Sequence, residues 1–105
     1  MVAEKSIMNA ESDYYRYGHT FAPLGYEQFT DVTAPVSLSP PDGARFAIIQ
    51  AVNTTVRYRD DGTSPTSTTG MRLIQDEEMT YRGDLDAIEL IEESIGGEIN
   101  VAYYG

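Results

Sequence analysis

The sequence predicts an all-β protein, an antiparallel β-sandwich or jelly-roll-like barrel of about seven strands with an extended N-terminal arm. Three observations predict it. Short runs rich in Val, Ile, Thr and Tyr recur through the second half of the chain, several alternating apolar and polar side chains. Clusters of Gly, Pro, Asp and Asn separate these runs at roughly ten-residue intervals, the spacing of a sandwich or barrel. A length of 105 residues with 41% hydrophobic content suffices for one packed core and leaves no room for a second.

Residues 1–40 read as the arm. Six of the chain's aromatics lie here, Tyr14, Tyr15, Tyr17, Phe21, Tyr26 and Phe29, among few aliphatic residues. Gly18, Pro23, Gly25 and Pro35 break any helix. Tyrosine combines a large apolar area with a polar tip, so these side chains need a surface to lie on. That surface is either the chain's own domain or a neighbouring subunit. Within this stretch Pro35–Ser39 is counted as one short strand.

Residues 41–105 read as the sandwich domain. Pro40-Pro41-Asp42-Gly43 is a turn. Arg45–Val52 is apolar, and its Phe46, Ile48 and Ile49 suggest a central strand. Asn53-Thr54 turns the chain. In Thr55–Arg59, Val56 and Tyr58 alternate with Thr55, Arg57 and Arg59, a half-buried strand. Asp60 to Gly70 holds no aliphatic side chain and reads as a surface loop. Met71–Gln75 is a strand, Asp76-Glu77-Glu78 a turn, and Met79–Arg82 a further strand closed by Gly83-Asp84. Leu85–Ile95 is ambiguous. Leu85, Ile88, Ile91 and Ile95 fall at near-helical spacing, yet Ala87–Ile91 also fits a strand, and regular strands on both sides favour that. Ile99–Tyr103 is the last strand, with Ile99, Val101 and Tyr103 on one face.

Composition excludes several functions. The net charge is −10, the wrong sign for nucleic acid or an anionic membrane surface. No cysteine is present, which removes disulfides, thiolate metal sites and cysteine nucleophiles. Met1–Ala10 lacks the apolar core of a signal peptide, and no run is long enough to span a bilayer.

Candidate chemistry is sparse. His19 is the sole histidine, so one chain cannot assemble a histidine triad or a multi-histidine metal site. Asp60-Asp61 and Asp76-Glu77-Glu78 are carboxylate clusters at strand ends, whereas glycosidase chemistry needs two acids facing each other across a groove. Asp60, Asp61 and Thr63, or Asp84 and Asp86, could contribute oxygens to calcium, but an EF-hand spacing is missing and solvated turns explain them. No phosphate-loop pattern occurs. Tyr103-Tyr104 with Tyr58 or Tyr81 could form a sugar-stacking platform, although strand tyrosines more often serve the core. No catalytic residue, metal or cofactor is expected.

One stretch carries a resemblance. Ala47–Ala51 is followed by Arg57–Thr66 (Arg-Tyr-Arg-Asp-Asp-Gly-Thr-Ser-Pro-Thr), then Gly83–Ile88 and Val101–Tyr104. This series resembles small virion-associated proteins of tailed bacteriophages, over residues 41–105 and not the arm. The resemblance implies a β-sandwich, no enzyme activity and assembly into a particle, as capsid decoration or cement or as a head–tail component. It also supports a strand at 87–91. The loop alone is similar to small β-sandwich modules attached to chitin-degrading enzymes, which implies a carbohydrate- or receptor-binding alternative.

The expected function is therefore capsid decoration through protein–protein contacts. The partner would be a major capsid or other virion protein, with self-association into a homo-oligomer and glycan binding secondary. The chain would be made in the host cytoplasm and end in the virion. Tyr14, Tyr15, Tyr17, Phe21, Tyr26 and Phe29 are the expected contact residues, and residues 41–105 are expected to fold without the arm.

Overall fold

The computed structural model describes residues 20–105, which contain eight strands and no helix. These are β1 (Pro23–Thr30), β2 (Val36–Ser37), β3 (Phe46–Val52), β4 (Val56–Arg59), β5 (Met71–Leu73), β6 (Glu78–Tyr81), β7 (Glu89–Glu92) and β8 (Glu98–Tyr104). They form two four-stranded antiparallel sheets: sheet I in the order β1-β8-β3-β6, and sheet II in the order β2-β7-β4-β5. The expected β-sandwich is observed. Only β4 and β5 are sequence neighbours that pair; every other connection passes from one sheet to the other.

Period-two alternation builds the core. Ala47, Ile49 and Ala51 of β3 and Ile99, Val101 and Tyr103 of β8 point inward from sheet I and are buried. Val56, Leu73 and Leu90 answer them from sheet II. Connecting segments add Val32, Leu38, Leu85 and Ile88. The ambiguous stretch resolves into both of its signals. The backbone N–H groups of Ala87 and Ile88 donate to the Asp84 carbonyl in a single turn that buries Leu85 and Ile88, and the chain then enters strand β7. The Asn53 turn adopts positive φ (68°), as does Asp76 (64°), whose carboxylate accepts the Asn53 N–H. Asx residues tolerate that conformation better than most.

Two tyrosines close the open sides of the sandwich. Tyr103 on β8 donates its hydroxyl to Glu27 of β1, and Glu27 also accepts the Ser39 N–H just beyond β2, which ties sheet I to sheet II. On the opposite side Tyr81 of β6 donates to Asp60, just beyond β4, at 2.6 Å. Burial, with the carboxylate beside each ring, pushes both phenols well above their ordinary value.

The boundary between arm and sandwich moves. Residues 23–38 are not an arm: β1 pairs with β8 along its length, β2 pairs with β7, and Val32 and Leu38 are buried in the core. The eighth strand is β1. Its Pro-Leu-Gly-Tyr-Glu-Gln-Phe-Thr sequence disguises it, because it is an edge strand with a register shift between Pro23 and Gly25 and buries little beyond Phe29. Removal of residues 1–40 is therefore expected to unfold the protein. Val32 and Leu38 each contribute about 1.5–3 kcal/mol by burial, and β1 and β2 are lost with them, from a domain stability of about 5–15 kcal/mol. Circular dichroism melts check this: residues 20–105 should unfold cooperatively and residues 41–105 should show no transition.

Candidate functional site

The two outer faces of the sandwich differ. Sheet II's outer face is occupied by its own chain. Arg57 on β4 donates from Nε to Glu93 at 2.7 Å and from Nη1 to the Gly70 carbonyl at 3.1 Å, and Arg72 donates to the same carboxylate at 2.9 and 3.1 Å. The 60–70 loop folds toward this side. Arg59 grips Asp61 with two hydrogen bonds, Ser64 donates to Glu89 on β7 at 2.6 Å, and Pro65 is buried. A side-chain carbon at Gly70 would sit tightly against the Tyr58 carbonyl, Arg57 and Pro65, and its φ of 139° favours glycine.

No other described segment covers sheet I's outer face, and the register orders it into rows running across the strands. One row is Gln28, Asn100, Gln50 and Glu78, one residue from each strand. Their side chains form a continuous hydrogen-bonded ladder. Gln28 Nε2 donates to Asn100 Oδ1 (2.9 Å), Asn100 Nδ2 to Gln50 Oε1 (3.2 Å), and Gln50 Nε2 to Glu78 Oε1 (3.0 Å). The neighbouring row is Tyr26, Ala102, Ile48 and Thr80. Tyr26 is 63% exposed, and its hydroxyl donates to Asn100 at 2.8 Å, joining the two rows. The next row holds Tyr104 and Phe46, with rings stacked at 5.3 Å, and Arg82 lies 4.7 Å over Phe46 on its other side. Phe21 meets Phe46 edge-on at 5.1 Å, and Arg45 lies 5.9 Å over Phe21. The result is a face with an arginine–aromatic end, a mostly apolar middle and an amide–carboxylate end.

The expected contact residues divide. Phe21 and Tyr26 lie on this outer face, whereas Phe29, level with Ile99, packs against the core. Tyr14, Tyr15 and Tyr17, like His19, lie outside the described residues. The tyrosine platform does not form: Tyr81 and Tyr103 are buried and Tyr58 packs against the core, leaving only Tyr104 on the outer face.

The acidic clusters have structural partners. Asp60 accepts from Tyr81, Asp61 from Arg59 and Thr63, Asp76 from Asn53, and Asp84 from the Asp86 N–H. Among the described residues no group of three or more His, Asp or Glu is placed to hold a metal ion. Sequence reasoning missed Glu92. It sits on sheet II's inner face level with Val56, accepts the Gly97 N–H at 3.2 Å, and has its Oε2 buried without a hydrogen-bond partner among the described residues. Gly97 has no room for a side chain against Thr54, which lets its backbone approach Glu92. The alternation of β7 was readable, but the inward side of a strand beginning Glu-Leu-Ile-Glu was not.

Comparison of the chain with family models, curated proteins and solved structures finds no match. The functional reading therefore rests on the face itself and on the residues that compose it.

Two outcomes follow for the carboxylates. Arg72, with Arg57 behind it, holds the Glu93 carboxyl below its usual range of about 4.5 against the opposing effect of burial. Such a group contributes stability that is present above the unfolded-state value and lost as pH falls through the folded-state one. The Glu93→Gln variant should be less stable than wild type at pH 7, with the gap closing as pH drops below about 4.5; urea melts across pH check this. Glu92→Gln replaces a buried carboxyl group, whose Oε2 has no hydrogen-bond partner among the described residues, with a neutral amide that can keep the acceptor for the Gly97 N–H. Its thermal midpoint at pH 7 should hold or rise by a few degrees.

Proposed function

We propose that this chain is a non-enzymatic structural protein that acts by contact through the outer face of sheet I, and that it decorates or cements the head of a bacteriophage particle. The observation that carries the contact reading is the four-strand ladder of Gln28, Asn100, Gln50 and Glu78 beside exposed Tyr26. Cross-bracing fixes these side chains before any partner arrives, so little rotamer entropy remains to be lost on docking. One N–H donor remains on each of the Asn100 and Gln50 amides among the described residues, and Tyr26 offers an amphipathic anchor of the kind that dominates interfaces. Support for a virion setting comes from the resemblance carried by Ala47–Ala51, Arg57–Thr66, Gly83–Ile88 and Val101–Tyr104, and from an acidic chain ill-suited to nucleic acid or membrane.

A second reading, a carbohydrate- or receptor-binding module, is favoured by one observation: amide donors beside a solvent-facing tyrosine are also the groups that recognise sugar hydroxyls. The two readings part in one experiment. The full chain and its Tyr26→Ala variant are followed through density-gradient purification of phage particles from cells carrying the gene, and both are applied to a glycan array. Wild type should band with particles, and Tyr26→Ala should lose at least about tenfold in occupancy with an unchanged melt, the loss typical of an interface anchor. A chain that stays in the soluble fraction and binds glycans would replace decoration with the second reading.

A further inference from the structure

We infer that the partner on sheet I's outer face is a second copy of this chain, docked face to face about a two-fold axis that runs along the Tyr26–Ala102–Ile48–Thr80 row. This inference rests on the reading of that face as the contact surface and gives it to a neighbouring copy rather than to a head protein, so that Tyr26→Ala lowers particle occupancy by uncoupling neighbouring copies.

The argument is charge complementarity under symmetry. The rows on either side of the Tyr26 row differ in character. On one side lie Tyr104, Phe46 and Arg82, with Phe21 and Arg45 at the margin. On the other lie Gln28, Asn100, Gln50 and Glu78. A two-fold axis across the strands, through the middle row, places each outer row on its opposite in the other copy. Ala47 pairs with Tyr81, so Arg82 stands level with Phe46, while Glu78 stands level with Gln50. Glu78 opens the β6 edge strand and Arg82 directly follows it, each two residues from Thr80. The rotation therefore sets Arg82 of one copy against Glu78 of the other, twice per dimer. The middle row meets itself, and Tyr26, Ala102 and Ile48 supply an apolar centre. The alternative axis, parallel to the strands, would place the arginine rows of the two copies at the same end and is disfavoured by repulsion.

Other occupants fit less well. A strongly acidic partner would meet Glu78 and Glu98, and a strongly basic one would meet Arg82 and Arg45; a partner with both ends is what the face itself provides. Like the rest of the chain, the second copy is acidic, which makes the local pairing of Arg82 necessary for approach.

The size sets the strength. Phe46 to Val52 spans about 20 Å, and four strands at ~4.8 Å give a comparable width. A planar contact of about 400 Å² per copy falls in the class of weak, transient interfaces. Such a dimer forms at high concentration and becomes populated when many copies are held on one particle.

Sedimentation equilibrium on the full chain at about 0.5 mM, a concentration suited to a weak interface, tests this. Wild type should show a monomer–dimer equilibrium that weakens with added salt. Arg82→Glu and Glu78→Arg should each be monomeric, with dissociation constants raised at least about tenfold. Mixing the two variants should restore the dimer, because the heterodimer alone holds two complementary pairs. Circular dichroism keeps folding separate from association. A wild type that stays monomeric, or folded variants that do not recover on mixing, overturns the inference. If wild type is monomeric while Tyr26→Ala still detaches the chain from particles, the second copy is wrong and the contact face stands. If Tyr26→Ala also leaves particle occupancy unchanged, both fall.

Discussion

Strand β8 is hydrogen-bonded to β1 on one side and β3 on the other, and its register governs both surfaces of sheet I. Its inward residues, Ile99, Val101 and Tyr103, are buried, and its outward ones, Asn100 and Tyr104, hold the amide ladder and the aromatic stack. A slip of one residue would carry the apolar set to solvent and the amide into the core. The same constraint that stabilises the sandwich therefore positions the exposed rows. Tyr103 adds a specific lock, because its hydroxyl reaches Glu27 in only one register.

Cross-sheet connections explain why the flanks need clasps. With one within-sheet hairpin, the pairing of most strands waits on distant parts of the chain, and β1 with β8 joins residues near opposite ends. Folding through such non-local contacts is slow relative to a meander. The Tyr103–Glu27–Ser39 and Tyr81–Asp60 contacts fasten the two sheets where no hairpin does. Sheet II's outer side is then covered by the arginine–Glu93 network and the folded 60–70 loop, so among the described residues sheet I presents the uninterrupted strand surface.

The parts of the fold that follow local pattern were legible in the sequence. Alternation located β4 and β8 with their inward faces, apolar content located β3 without its inward face, and regular turn spacing favoured a strand at the Ala87–Ile91 stretch. What escaped was structure that depends on distant partners. β1 carries Pro23 and Gly25 and places a carboxylate, Glu27, on its inward side, which makes sense only once Tyr103 and Ser39 are seen beside it. Val32 and Leu38 sit singly among turn residues, so no period marks them as core. Phe46 looked like ordinary central-strand apolar content, yet it points outward and is covered by Tyr104, Phe21 and Arg82. The outer face of sheet I was half legible: aromatic content singled out Phe21 and Tyr26, which lie on it, but the amide ladder exists only through register.

The five arginines of residues 20–105 fall into two groups with different consequences. Arg57, Arg59 and Arg72 lie against carboxylates of their own chain, and their charge is spent on holding sheet II and its loop. Arg45 and Arg82 lie over aromatic rings instead. A ring face attracts the cation without consuming its N–H donors, which lie in the guanidinium plane and stay available for a carboxylate or carbonyl from outside. Stacking also holds Arg82 at a defined height above Phe46, so part of its rotamer freedom is already lost before a partner arrives. In a chain of net charge −10, repulsion keeps copies and other acidic proteins apart unless positive charge is presented at the point of contact. Among the described residues, Arg82 is thus a pre-ordered cation at one end of the uncovered sheet face, the kind of group that would let an acidic protein make an attractive contact without lowering its overall charge.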